Sequence, residues 1–342
     1  MRLPLSWLLA FTTAALALLL LGSLATGPMT LTLGESLRAL FAGQESGIES
    51  HKLLIVQGIR LPRTLLCIAV GGILGLCGAV MQGLFRNPLA DPGIIGVSGG
   101  AALGAALAIV LLAPLGQQLQ TTIGIGLLPL LAFLGGALTT TLVYLLGTRE
   151  GGTSVTVMLL AGVAITALSG AVIGLLTYLA DDQMLRNLSL WQMGTLAAGK
   201  PADVALALLT LAALLWLFMR DANPLNALLL GEGEARHLGV NVQSLKRRLI
   251  LLTAAGVGVA VAVSGMIGFV GLVVPHLVRL LAGPNHVRLL PLSALLGAAL
   301  LLAADMLART LLAPAELPVG IITALLGAPF FIWLLVKGRR AL

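Results

Sequence analysis

Apolar residues in this chain come in runs of about twenty, the length one helical crossing of a bilayer needs at about 1.5 Å of rise per residue. The runs predict spans near residues 5–25, 61–85, 93–113, 123–147, 154–180 and 202–219. After a polar interval come 249–267, 271–283, 289–308 and 317–336. The stretch 249–282 is too long for one crossing and must break, and Gly265, Gly268 and Gly271 mark the place. The pattern is that of an all-α polytopic membrane protein with ten transmembrane helices in a single domain, 1–342. Met1–Ala25 has the outline of a signal peptide, with Arg2, an apolar stretch and Ser23-Leu24-Ala25. Its apolar part is nearly a full span, so it reads as the first helix.

The one long interruption is Arg220–Arg248, between the sixth and seventh spans. It carries Arg220, Asp221, Glu232, Glu234, Arg236, Lys246, Arg247 and Arg248, with His237 and the polar run Asn241–Ser244 in support. Such a segment must lie in water. Glu234–Gly239 reads as a helix stopped by Gly239, the residue that most readily adopts the left-handed conformation at a helix C-terminus. Leu228–Leu230 reads as an exposed apolar patch in front of it. Exposed apolar groups beside charges mark a contact surface; the alternative is a loop folded onto its own spans. Outside the spans, Thr26–Lys52 reads as a polar loop. Asp181–Lys200 reads as a short interfacial helix anchored by Trp191, and Ala308–Leu317 as a brief turn.

Composition agrees with the pattern. Hydrophobic residues make up 58% of the chain and charged ones 10%, against about 25% charged in soluble domains. The 42 glycines let helices approach closely in lipid, where packing drives their association. The net charge of +7 does not indicate nucleic acid, because the basic residues stand singly at the ends of apolar runs. Thirteen of the 20 Lys and Arg residues fall on the side that holds both termini and 220–248. The excess of basic residues on the cytoplasmic side makes that side the inner one. Cys67 and Cys77 lie in one apolar run and read as small packing residues, neither disulfide nor metal site.

The run from Arg63, RTLLCIAVGGILGLCGAVMQG, resembles RLILLTAAGVGVAVAVSGMIG from Arg248, with Met81 and Gly83 opposite Met266 and Gly268. The two begin on opposite sides, so the internal repeat is inverted, an arrangement common in transporters.

Arg86–Ala105 joins the second and third spans. Pro88 and Pro92 disfavour helix in the residues before them, and Gly93, Gly96, Gly99 and Gly100 keep the backbone irregular. The stretch reads either as a tight turn or as a gate, since irregular backbone at membrane depth is tolerated only beside protein or a water-lined path. Gly96-Val97-Ser98-Gly99 has the look of an intramembrane protease serine motif. That chemistry needs a His base within hydrogen-bond reach, and only His276 and His286 are placed to supply it. Arg60 and Arg63, about one turn apart, either anchor the helix at the boundary or form a carboxylate receptor, which Arg309 would extend. Asp305 and Arg309 are four apart and can pair along a helix. No mid-membrane relay of Asp, Glu or His stands out, which argues against an ion-coupled secondary carrier and for an external energy source.

Over nearly its full length the chain resembles the permease subunits of type II ABC importers, the BtuC/FecCD group that imports vitamin B12, heme and ferric siderophores. The stretches that carry the resemblance are RLPRT at Arg60, GAVMQGLFRNPLADPGIIGVSGGA at Gly78, LLAGVAI at Leu159, EARHLGV at Glu234, SGMIGFVGLVVPHLVRLLAGPNH at Ser264 and ELPVGIITALLGAPFFIWLL at Glu316. The resemblance implies a BtuC-like homodimer in the bacterial inner membrane, with the path along the dimer axis and both termini cytoplasmic. A cytoplasmic ABC ATPase dimer holds Glu234, Ala235, Arg236, His237, Leu238 and Gly239. An external, periplasmic solute-binding protein docks its acidic residues on Arg60, Arg63 and Arg309. Asn87, Leu89, Val155 and Thr156 sit where the family closes its cytoplasmic gate. ATP and Mg belong to the partner: no GxxxxGK[ST] phosphate loop occurs in this chain, and the resemblance implies no cofactor, metal or catalytic residue here. The segment Leu176–Leu196 resembles heme permeases most, ferric siderophore permeases next, and B12 permeases less. His276 and His286 are placed where they could touch heme iron, although VPHL and GPNH occur across the family.

Overall fold

A computed structural model describes residues 4–41, 49–113, 126–149, 152–197 and 199–339. Helix α1 is Leu5–Ala25 and α2 is Leu33–Phe41, the latter inside the predicted loop. A lead-in, Ser50–Leu53 and a π-helical stretch Leu54–Arg60, continues into α3, Leu61–Leu84. The third span starts later than expected. Pro92–Ile95 forms a 3-10 turn, Gly96 takes φ 85°, and only then does α4, Val97–Val110, begin. Helix α5, Leu127–Gly147, ends in an antiparallel hairpin, β1 Thr148–Arg149 with β2 Gly152–Thr153, that leads into α6, Val155–Leu179. A short helix, α7, Asp182–Gln192, is present in the predicted segment, capped by the Asp181 side chain. Trp191 is buried and not an exposed anchor.

Helix α8 is Pro201–Arg220, followed by α9, Ala222–Leu228, and α10, Glu232–His237. Helix α11, Val242–Ser264, absorbs the last charged residues of the insert into its first two turns, so it starts earlier than the apolar pattern implied. The predicted break is present: α11 stops at Ser264 and α12 runs Val270–Ala282, with Gly265 at φ 69° and Phe269 at φ 67° between them. Gly271 lies inside α12, where it serves packing and not the break. Helix α13, His286–Thr310, and α14, Val319–Arg339, complete the chain. Among the described residues, seven helical segments are long and apolar enough to cross a membrane, and α4, α12 and the apolar part of α14 are shorter ones. Together these fill the ten predicted positions.

Helix α3 is the axis of the bundle, buried along nearly its whole length and packed on α8, α11, α12 and, most extensively, α13. Its small residues make that possible. A methyl group at Gly71 would run into the Gly297 carbonyl of α13, and one at Gly78 into the Gly271 carbonyl of α12. Helices α1, α6 and α8, by contrast, leave most of their apolar surface outside the bundle. Helices α3 and α11 run in opposite directions, as the inverted repeat expects. Met81 and Gly83 lie in α3, however, while their counterparts Met266 and Gly268 lie in the irregular link after α11.

Antiparallel packing of α3 on α13 defines two ends. Arg63 meets Asp305 at one, the arginine end; Gly83 meets His286 at the other, the insert end, where α9 also lies.

Candidate coupling, gating and docking sites

At the insert end, the polar segment is folded against the bundle by specific pairs. Asp221, itself buried, accepts from Arg248 Nε at 2.7 Å. Helix α9 buries Leu225 and Leu228 and is pinned to the start of α13. Asn226 Oδ1 accepts from the His286 backbone N–H at 2.8 Å, and Asn226 Nδ2 donates to Asn285 Oδ1 at 3.0 Å. Only Leu229 and Leu230 of the expected apolar patch are exposed; Leu228 is in the core. Helix α10 and the turn after it then present Glu234, Arg236, His237, Leu238 and Gly239 to solvent, with Ala235 turned inward and buried. Gly239 adopts φ 83°, the left-handed stop the sequence implied. A shallow groove beside it is lined by Gly152, Arg236, Gly239, Val240, Asn241 and Gln243.

The candidate gate residues lie at the same end in two places. Asn87 Oδ1 accepts from the Leu89 N–H at 2.9 Å and Asp91 Oδ1 from the Gly93 N–H at 2.7 Å, so both side chains fix the non-helical turn that the two prolines impose. Leu89 lines a narrow cleft with Leu272, His276 and Phe330. Val155 and Thr156 open α6, after Ser154, whose hydroxyl accepts from the Val157 N–H at 3.5 Å. The 3-10 turn packs on α6 further along, at Gly162, where a methyl group would meet the Ile94 carbonyl. The structure therefore connects the two halves through α6 and does not gather the four residues into one cluster within this chain.

At the arginine end, Arg60, Arg63 and Arg309 are brought together, but as buried groups, exposed by 3%, 5% and 2%. The expectation of open carboxylate receptors meets a simple physical obstacle: their partners are already inside the chain. Asp305, fully buried, takes Arg63 at 2.9 Å and Arg309 at 3.0 Å. Arg63 also holds Glu316 at 2.6 Å. Arg60 donates to the carbonyls of Leu24 at 2.7 Å, Ala25 at 2.8 Å and Met29, and Arg309 donates to Ser23 Oγ at 2.8 Å. Two guanidinium groups thus cover the C-terminal end of α1, where orphan carbonyls and the helix dipole both favour cations. The sequence exposed the Asp305–Arg309 pairing through its spacing of four. It offered no signal for Arg63 with Asp305, which lie 242 residues apart.

The histidines are placed away from Ser98. His286 is buried, with Nδ1 2.9 Å from Asn226 Oδ1, and His276 stands edge-on to Phe330 with its Nδ1 unpaired among the described residues. The serine–histidine geometry that a protease needs is not formed.

Comparison with known proteins agrees with this architecture. The model of the FecCD transport family matches residues 15–337. The hemin transport system permease protein HmuU of Yersinia pestis is 47% identical over 336 residues, covering 97% of this chain and 96% of that one. The cobalamin import system permease protein BtuC of Halobacterium salinarum is 44% identical over 297 residues, 87% of this chain and 77% of its own. A solved structure described as an inward-facing conformation of a metal-chelate type ABC transporter is 34% identical, covers 97% of this chain and 99% of its own, and superposes with a TM-score of 0.82. A family match across almost the whole chain, on this helical frame, leads to one conclusion: the chain belongs to the FecCD transport family and is the membrane-spanning permease of an ABC importer, whose ATPase activity resides in a separate subunit.

Proposed function

We propose that this permease moves heme across the bacterial inner membrane by ATP-driven alternating access. The observation that carries the cargo is the near full-length similarity to a hemin permease, at 47% identity. Cobalamin is the second reading, favoured by the 44% identity to a B12 permease. In the proposed arrangement both termini and residues 220–248 face the cytoplasm. Two copies of the chain meet along α6, where Gly170 and Gly174, four apart, find no neighbour among the described residues. Small residues four apart are a common basis for close helix contact in lipid. Val155 and Thr156 at the head of each α6, with Asn87 and Leu89, then close the inner gate between the copies. The ATPase dimer holds α10 through Glu234–Gly239.

The solute-binding protein docks at the arginine end. Glu316 is about a third exposed and lies on Arg63, so an incoming carboxylate reaches Arg63 by replacing it, with Arg60 and Arg309 adding positive potential behind. The deciding experiment is reconstitution of the chain in proteoliposomes with its ATPase and binding protein, offering heme, cyanocobalamin and ferric siderophores in turn. ATP-dependent heme uptake is expected. Uptake of cobalamin or a siderophore with heme ignored overturns the cargo, and uptake driven by an ion gradient without the ATPase overturns the mechanism.

A further inference from the structure

Lys246 is the least expected side chain at the insert end. It sits in the second turn of α11, in a segment that must face water, yet it is only 2% exposed. Taking an ammonium group out of water costs several kcal/mol unless it is well paired. Its pairing is specific: Nζ donates to Glu232 Oε1 at 2.6 Å and to the Thr153 carbonyl at 3.0 Å. Glu232 opens α10, and Thr153 closes the hairpin that leads into α6. One turn before Lys246 on the same helix, Gln243 Oε1 accepts from the Thr153 N–H at 3.1 Å. Helix α11 therefore grips both backbone polar groups of Thr153 with two side chains on one face, and one of those side chains also grips α10.

Thr153 is followed directly by Ser154, the N-cap of α6, and then by Val155 and Thr156. A displacement of α10 moves the Glu232 carboxylate. Through a charge-assisted hydrogen bond, the stronger kind, it loads Lys246 and hence the Thr153 carbonyl. From there to Thr156 the chain has only three peptide steps, two of them before the first helical residue of α6.

We propose that Glu232, Lys246 and Gln243 form the link by which movement of the surface helix α10 reaches the inner end of α6. Lys246 is its central positioning residue. The inference rests on the reading that α10 is the element held by the ATPase and that the head of α6 gates the path. Lys246→Met removes both donors while leaving Glu232, a third exposed, in water. Glu232→Gln keeps the hydrogen bond and removes its charge, at a position a third exposed.

The experiment measures heme uptake and ATP hydrolysis together in proteoliposomes holding the permease, ATPase and binding protein. In parallel, ATP-dependent distances are measured between spin labels at Thr156→Cys of two copies, where the native Cys67 and Cys77 are buried. The result expected is continued hydrolysis with uptake per ATP reduced at least tenfold in Lys246→Met, a smaller loss in Glu232→Gln, and recovery in Lys246→Arg, which keeps the donors and the charge. The ATP-dependent distance change shrinks in step with uptake. Wild-type uptake per ATP in both Lys246→Met and Glu232→Gln overturns the inference. Absence of ATP-dependent uptake in the wild type instead overturns the underlying importer reading, so the two failures are distinguishable.

Discussion

Asp305 is the most consequential single carboxylate in the fold, and its replacement by Asn tests why. It is fully buried and lies between two guanidinium groups, Arg63 at 2.9 Å and Arg309 at 3.0 Å. Asn keeps the shape, removes the charge and turns amide hydrogens toward one of the two donors. Removing one member of a buried ion pair costs about 3–5 kcal/mol, because the partner charge stays behind without compensation. That is a change of roughly 100- to 4000-fold in the unfolding equilibrium, at about 1.4 kcal/mol for each factor of ten. Glu316 is the internal control. It also binds Arg63, at 2.6 Å, but is about a third exposed, and water can replace it, so Glu316→Gln should cost about 1 kcal/mol or less.

A second arm separates charge balance from generic damage. Asp305→Leu with Arg309→Met removes one positive and one negative charge and leaves Arg63 on Glu316. The pair should cost less than the two single changes together, by about 0.5–3 kcal/mol. The assay is reversible unfolding of the purified protein in mixed micelles, followed by intrinsic fluorescence. Equal losses for Asp305→Asn and Glu316→Gln, or strict additivity in the double variant, would refute the claim that the pairing of a desolvated charge, and not its mere presence, holds this end together.

Three other outcomes follow from the geometry. Gly78→Ala should abolish recovery of monodisperse protein, because its methyl group meets a backbone carbonyl at Gly271 that no rotamer change can move aside; Gly34→Ala, whose methyl group meets no described atom, should not lower the melting temperature. Cys67 and Cys77 are free and fully buried, so a membrane-permeant maleimide should label neither in the folded protein and both in dodecyl sulfate. Rapid labelling of the native protein would place α3 outside the core. Glu35, hydrogen-bonded by Lys52 and by Thr32, has its carboxyl lowered from 4.5 to about 2. A depressed carboxyl favours the folded contact above its ordinary value, and that contribution fades as pH falls toward 2. A carbon-13 titration of Glu35 should show a midpoint near 2 that rises in Lys52→Met; an ordinary midpoint in the wild type would remove the contact.

How far the fold could be read from the chain depends on what each feature needed as its cause. A crossing helix needs only an apolar run of sufficient length, and a break needs only residues that tolerate left-handed backbone, so the seven long apolar helices and three shorter ones, the stop at Gly239 and the kink at Gly265 were legible. The 3-10 turn at Pro92–Ile95 and the early start of α11 were not, because both override hydrophobic pattern with local hydrogen bonding from Asp91 and Asn241. Charges were the least legible. An arginine at a membrane boundary satisfies the same composition whether it faces a partner protein or a buried carboxylate 242 residues away, and nothing periodic distinguishes the two. Lys246 is the same case, since its Thr153 partner lies 93 residues back.

Yet the buried charges share a rule that the sequence hides. Each ties segments far apart in the chain: Arg63 joins α3 to α13 and to Glu316 at the head of α14, Arg60 and Arg309 close on the end of α1, and Lys246 joins α11 to the hairpin. The arginine end thus carries two buried or half-buried carboxylates held by Arg63 and Arg309, with Arg60 bonded to α1 beside them. The head of α6 is held by two side chains of α11. The insert end is tied by other means, Asp221 to Arg248, Asn226 to Asn285 and His286, and Glu232 to Lys246, and these ties hold the base of the exposed helix α10.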